Sequence, residues 1–219
     1  MTQEQVRYVR QFPMRVAPVV LVGRRVRLVP MSLEHAPALF RAANFAEIWE
    51  HTTTAPMLTE ADIRDYVNVA LAEQAGGHAI PFATTDAGTG EVIGATRFAD
   101  ISVNDRRLAI GWTWLRPDRQ GTGINGEAKA LMLQHAFDTW GAVRIEIRTD
   151  VRNTKSRAAI EHIGGTYEGT HRQHMILSGG RLRDTAYYSI IDTEWRDPSH
   201  RAYASAQSHG ITPSAGPLA

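Results

Sequence analysis

Gly121-x-Gly123-x-x-Gly126 is the densest chemical signal in the sequence. Glycines let a backbone come close to a bound group, and the apolar positions Ala128, Leu131, Met132, Ala136, Phe137 and Trp140 that follow predict a helix stopped by Gly141. The first turn of a helix offers unpartnered N–H groups and the positive end of its dipole, which suits a phosphate or diphosphate. A second cluster, Asn153-Thr154-Lys155-Ser156, opens a predicted helix over 154–163 that Gly164-Gly165 ends. Asn153 is its N-cap, and Ser156 suits a first-turn hydrogen bond. His171 and His174, on a late β-like segment, could exchange a proton near neutral pH, although alternation along a strand need not turn both inward. Glu146 and Asp184 are carboxylate alternatives.

Three readings of the glycine loop compete. As a literal GxGxxG with Glu146 twenty residues past its last glycine, it matches a dinucleotide fingerprint and hence an oxidoreductase. That fingerprint ends a strand directly within repeated βαβ units. Here Arg116-Pro117-Asp118-Arg119-Gln120 intervenes and an antiparallel-looking meander comes before it. A purely structural turn is the second reading. The third, an anion cradle, agrees best with the surrounding elements.

Those elements follow from periodicity and punctuation. Residues 19–30 are apolar and then alternate Val26 and Leu28 with Arg27 and Val29, predicting a strand that ends at Pro30. Ser32 precedes a short helical stripe of Leu33, Ala36, Leu39 and Phe40. Thr59 and Asp62 form a capping-box pattern before Ile63, Tyr66, Val67, Ala70 and Leu71, and Gly76-Gly77 closes that second helix. Segments 79–85, 91–101 and 107–115 predict a meander, 143–149 a further strand, and 167–177 with 182–191 a hairpin around Ser178-Gly179-Gly180. The order is βαα-βββ-α-β-α-ββ, within one domain over 19–196, an N-terminal arm over 1–18 and a loose tail over 197–219 rich in Pro, Gly, Ser and Ala.

Composition narrows the function classes. The 219 residues are 43% hydrophobic and 21% charged, enough for one well-packed core. Twenty-four Lys and Arg against 23 Asp and Glu leave a net charge of +1, too little for sequence-independent attraction to nucleic acid. Without cysteine there is no disulfide, thiol nucleophile or thiolate metal site; nine histidines leave an imidazole site open at this point, although the function favoured below calls for no metal. No stretch approaches the roughly 20 apolar residues of a membrane span, so a cytoplasmic protein is expected. Tyr8, Phe12 and Met14 in the arm could pack on this chain or on a second copy, leaving a homo-oligomer open.

The run Trp114-Leu115-Arg116-Pro117, then Gln120-Gly121-Thr122-Gly123-Ile124-Asn125, then Glu127-Ala128, resembles the GNAT acyltransferase superfamily and its RimJ/RimL-like branch. Gln120 and Gly123 match the pattern (Gln/Arg)-x-x-Gly-x-(Gly/Ala), with Asn125 at the last position. Asn153-x-x-Ser156 resembles the branch's later helix start, and Ile163-Gly164-Gly165 stands where it has Leu-Gly-Phe. The resemblance covers residues 19–195 and implies an α/β (α+β) fold: a mixed, mostly antiparallel central sheet of about seven strands, about four flanking helices and splayed parallel central strands.

It also implies an N-acyltransferase carrying an acetyl or other short acyl group, with succinyl an alternative, from coenzyme A to the amine of a small molecule or protein. Trp114, Leu115, Gln120, Gly121, Thr122, Gly123, Ile124, Asn125, Asn153 and Ser156 would then bind acetyl-CoA or another acyl-CoA such as succinyl-CoA, and Ser156 would protonate the leaving sulfur. No carboxylate base carries over: Ala109 and Met175 occupy the two positions where relatives place one, so His174 and Glu146 are the candidates. Trp49, His51, Trp112 and His171 are candidate acceptor contacts, and Arg97 is a cation that could favour succinyl-CoA over acetyl-CoA. The missing carboxylate base also keeps a noncatalytic acyl-CoA sensor in view.

Overall fold

Alternating apolar residues pair into a single eight-stranded sheet, ordered β1-β2-β3-β4-β5-β6-β8-β7, in a computed structural model that describes residues 13–197. The segment predicted as one strand over 19–30 is a hairpin of β1 (Leu21–Val22) and β2 (Val26–Pro30), with Leu21 opposite Leu28. Its turn is held by a distant side chain: the Glu127 carboxylate accepts the N–H groups of Arg24, Arg25 and Val26 at 2.8, 2.7 and 3.1 Å. No local pattern announces that partner.

Helix α1 (Ala36–Ala43) and helix α2 (Glu60–Ala75) follow. Thr59 and Asp62 cap α2 reciprocally: Thr59 Oγ1 accepts the Asp62 N–H and the Asp62 carboxylate accepts the Thr59 N–H. Strands β3 (Ile80–Asp86), β4 (Val92–Ser102) and β5 (Arg107–Leu115) form the meander. Helix α3 (Ile124–Gln134) runs into a π-helical turn, His135–Thr139. The chain ends its described course with β6 (Arg144–Asp150), α4 (Thr154–His162), the hairpin β7 (Thr166–Ile176) and β8 (Leu182–Ile191), and α5 (Asp192–Trp195).

Every neighbouring pair is antiparallel except β5 with β6. The sheet is therefore the mixed, mostly antiparallel one expected. Phe82, Phe98, Ile110, Leu131, Met132, Trp140 and Ile147 share one core cluster, while Leu39, Ile63, Val67, Ala95 and Trp114 form a second with α1 and α2. Each fully buried Leu, Ile or Phe contributes about 1.5–3 kcal/mol, so these two clusters make the frame against which the site is set. Of the predicted arm, Met14 is buried and its N–H donates to Val103 O at 3.0 Å. Tyr8, Phe12 and the tail beyond 197 lie outside the described residues.

The β5–β6 pair runs from Arg107 opposite Arg144 to Ile110 opposite Ile147, and then stops although both strands continue. Each keeps its outer partner: β5 stays on β4 as far as Leu115, and β6 stays on β8 as far as Asp150. Trp112 has φ 48°, and the β4–β5 register shifts between Ala95 and Arg97, so a bulge turns β5 away at the point of parting.

Candidate active site

Between the parted strands lies a cleft of about 820 Å³, a size suited to a small-molecule or cofactor site. Its mouth is the glycine loop. Gly121 and Gly123 have φ 75° and 86°, in the left-handed region, and Gly123 is the residue from which α3 starts. Gln120 Nε2 donates to Leu115 O at 3.0 Å, and Lys155 Nζ donates to Gln120 Oε1 at 2.8 Å, tying the loop to the start of α4. Asn153 Oδ1 caps α4 by accepting the Ser156 N–H at 2.9 Å. The Ser156 hydroxyl has no partner among the described residues, and Asn125 Oδ1 on the wall is buried with none.

The wall is basic although the chain is nearly neutral. Among the described residues Glu47 and Glu50 are its only carboxylates, against Arg148, Arg152, Lys155 and Arg183. Trp49 and Trp114 pack with ring centroids 5.6 Å apart and close its apolar side. His51, Trp112, Ala109, His174 and Met175 also line it. His174 Nδ1 lies 3.1 Å from Thr185 Oγ1 and its Nε2 3.4 Å from the Tyr187 hydroxyl. Partial desolvation, then the nearby His171, Arg148 and Arg183, lower the His174 pKa from the ordinary 6.5 and so favour its neutral ring.

Five of the predicted residues are not on that wall. Thr122 Oγ1 donates to Arg119 O at 2.7 Å and braces the loop, and Ile124 is buried in the core. Glu146 is answered by Arg148 at 2.6 Å and Arg144 at 3.3 Å. His171 packs on Tyr187, ring centroids 4.0 Å apart. Arg97 is only 2% exposed, pairs with Glu73 at 2.6 Å and lies 4.7 Å from the Trp112 ring centre. Its charge is met by Glu73, so the donor-selecting role expected of Arg97 has no geometric basis; the register of β4 turns it toward α2.

Lys129 was missed, though a cation inside the apolar run from Ala128 to Leu133 is a signal in itself. It lies on the cleft floor, 6% exposed, and donates to Thr113 Oγ1 and, at 3.4 Å, to Thr96 Oγ1. With no carboxylate beside it among the described residues, burial lowers its pKa from the ordinary 10.5 to about 7. The unfolded chain holds this proton up to 10.5 and the folded one releases it near 7, so the fold bears the full cost below 7 and sheds it as pH rises to 10.5. Lys129→Met is expected to be more stable than the parent by a few kcal/mol at pH 6, the gap narrowing steadily by pH 9. Urea unfolding of both proteins at several pH values checks this; a gap independent of pH overturns it.

A family model described as an acetyltransferase (GNAT) domain matches residues 25–166. The "Putative ribosomal N-acetyltransferase YdaF" of Bacillus subtilis (strain 168) is 31% identical over 106 residues, which span 48% of this chain and 57% of that relative. A GCN5-related N-acetyltransferase from Brucella melitensis superposes with a TM-score of 0.81 at 29% identity, covering 94% of this chain and 93% of that one. Mycobacterium smegmatis RimJ, solved in complex with CoA-disulfide, superposes with a TM-score of 0.73 at 25% identity over 90% and 95% of the two chains.

Proposed function

This chain belongs to the GNAT acetyltransferase family, and on that premise we propose that its cleft binds an acyl-coenzyme A and passes the acyl group to an amine of a protein or peptide. The observation that carries the reading is the parallel pair that stops at Ile110 opposite Ile147 with a glycine-started helix at the mouth of the gap. The loop and α3 N-terminus suit the diphosphate, with Arg152 and Lys155 adding charge. The β5 edge beyond Ile110 has lost its neighbour, so its backbone groups are available to the amides of an extended pantetheine arm. Asn125 Oδ1, buried without a partner among the described residues on the cleft wall, is an acceptor still to be met. The name of the B. subtilis relative, a putative ribosomal N-acetyltransferase, supports a protein amine over a small molecule.

In the transfer a C–N bond forms to the acyl carbon as its C–S bond breaks. The amine must lose a proton and the departing thiolate must gain one. His174, neutral and on the wall, takes the first directly or through water. Ser156, with its hydroxyl uncommitted, gives the second. Acetyl is the simplest acyl group for this cleft; a succinyl group needs a cation at its far end.

Mass spectrometry of a free-amine peptide library incubated with acetyl-CoA, succinyl-CoA or CoA tests the reading. The expected result is an acyl mass added to peptides in the presence of an acyl-CoA and nothing with CoA. Binding without turnover would favour the sensor, consistent with Ala109 and Met175 on the wall where a carboxylate could have stood. Ser156→Ala should lower kcat about 10–100-fold with little change in acyl-CoA affinity. His174→Gln should remove an acid limb of kcat/KM lying below the ordinary histidine value.

A further inference from the structure

Arg183, on β8, is nine-tenths buried on the cleft wall. Its Nη1 donates to the His51 carbonyl at 3.4 Å, and its Nε is buried with no acceptor. Among the described residues no carboxylate lies within salt-bridge distance of it. Asp150, the acid on the facing strand, is already engaged by Arg181 at 2.6 Å and the Arg152 N–H at 2.9 Å, with His51 Nδ1 at 3.7 Å. Arg183 therefore differs from Arg97, whose charge is answered by Glu73.

Burying a cation that Asp150 answers only from beyond ion-pair distance, with an unmet N–H besides, is costly, and the cost is recovered when an anion arrives. The geometry also indicates which anion. With Nη1 turned to the His51 carbonyl, Nε and Nη2 have no acceptor among the described residues, and that edge of a guanidinium is the one that pairs with the two oxygens of a carboxylate. Met175 lies opposite Arg183 across the β7–β8 pair, and Thr185 and His174 share its stretch of wall, so the open edge belongs to the part of the cleft where the proposed base lies.

We propose that Arg183 is a carboxylate-recognising residue, and that the pair of substrates joined in this cleft brings a carboxylate to its guanidinium. The inference rests on the acyl-transfer reading. The carboxylate has two sources, the far end of a dicarboxylic acyl donor or an acidic group on the amine acceptor. A site built around a buried donor pair rejects a neutral analogue of the same size much more strongly than an apolar wall does.

The test has two arms, each with wild type, Arg183→Met and Arg183→Lys. In the first, calorimetry compares succinyl-CoA with butyryl-CoA, which matches its carbon count but lacks the carboxylate. In the second, initial rates with acetyl-CoA compare peptide amides that carry Glu or Asp near the N-terminus with their Gln or Asn counterparts. In wild type one arm should favour the acid by about 10-fold or more, the ratio should collapse in Arg183→Met, and Arg183→Lys should recover part of it. The responsive arm identifies the source. No acid preference in either arm of wild type overturns the proposal, whatever the variants do. So does a preference that persists in a folded Arg183→Met. Free CoA separates the two levels: wild type that fails to bind CoA overturns the acyl-transfer reading, whereas intact CoA binding without an acid preference overturns only Arg183.

Discussion

Gly123→Val is expected to lower acyl-CoA affinity by about 100-fold or more, close to 3 kcal/mol. Two effects combine. At φ 86° a β-branched residue is strained, so the loop must rearrange and the first N–H groups of α3 lose their aim. Any Cβ at 123 would also fill the approach to those groups: built on the present backbone it lies 3.7 Å from the Arg25 guanidinium, over the loop where a diphosphate would come. Gly123→Ala keeps the backbone strain with less bulk and should fall between the two. Calorimetric titration with acetyl-CoA and CoA, alongside circular dichroism to establish folding, is the measurement. Wild-type affinity in a folded Gly123→Val would remove the loop from coenzyme binding and take the proposed function with it.

Glu127→Ala should be the most destabilising single change considered, by about 3–5 kcal/mol. Glu127 is wholly buried, and its carboxylate accepts three backbone N–H groups from the β1–β2 turn. Alanine would leave those donors without partners, and hydrogen bonds to a charged group contribute more than neutral ones. Glu127→Gln retains an acceptor oxygen and should recover part of the loss. Gly23 supplies an independent check, because a Cβ there would stand 2.7 Å from Glu127 Cδ, too close for both to remain. Gly23→Ala should therefore destabilise the parent by more than it destabilises Glu127→Ala. Urea melts of the four proteins give the cycle, and strictly additive values would show that the carboxylate is not what closes this turn. Coenzyme affinity should weaken as well, since the same turn carries Arg25 to the glycine loop.

Local spacing was enough to read much of the molecule. The capping pair Thr59 and Asp62, the meander, the glycine-started helix, the Asn153 cap and the closing hairpin all stand close to where periodicity and punctuation put them. Each depends on residues a few positions apart, so the interaction that forms the element is visible in one short window. The glycine loop belongs to the same class, because left-handed φ and backbone access are properties of the glycines themselves. What the sequence left open was the environment of each charged side chain. Arg97 and Arg183 are both arginines on strands, yet β4 turns one onto Glu73 of α2 while β8 puts the other on the cleft wall with no carboxylate among the described residues at ion-pair distance. Glu127 reads as an ordinary first-turn acid until the β1–β2 turn, more than a hundred residues earlier, closes on it. Lys129 stays an ordinary lysine until Thr96 and Thr113, on two neighbouring strands, become the acceptors of its ammonium among the described residues. Charge states, ion pairs and the cleft depend on which strands become neighbours and where their pairing stops, and those are long-range choices made by the packing of the whole sheet.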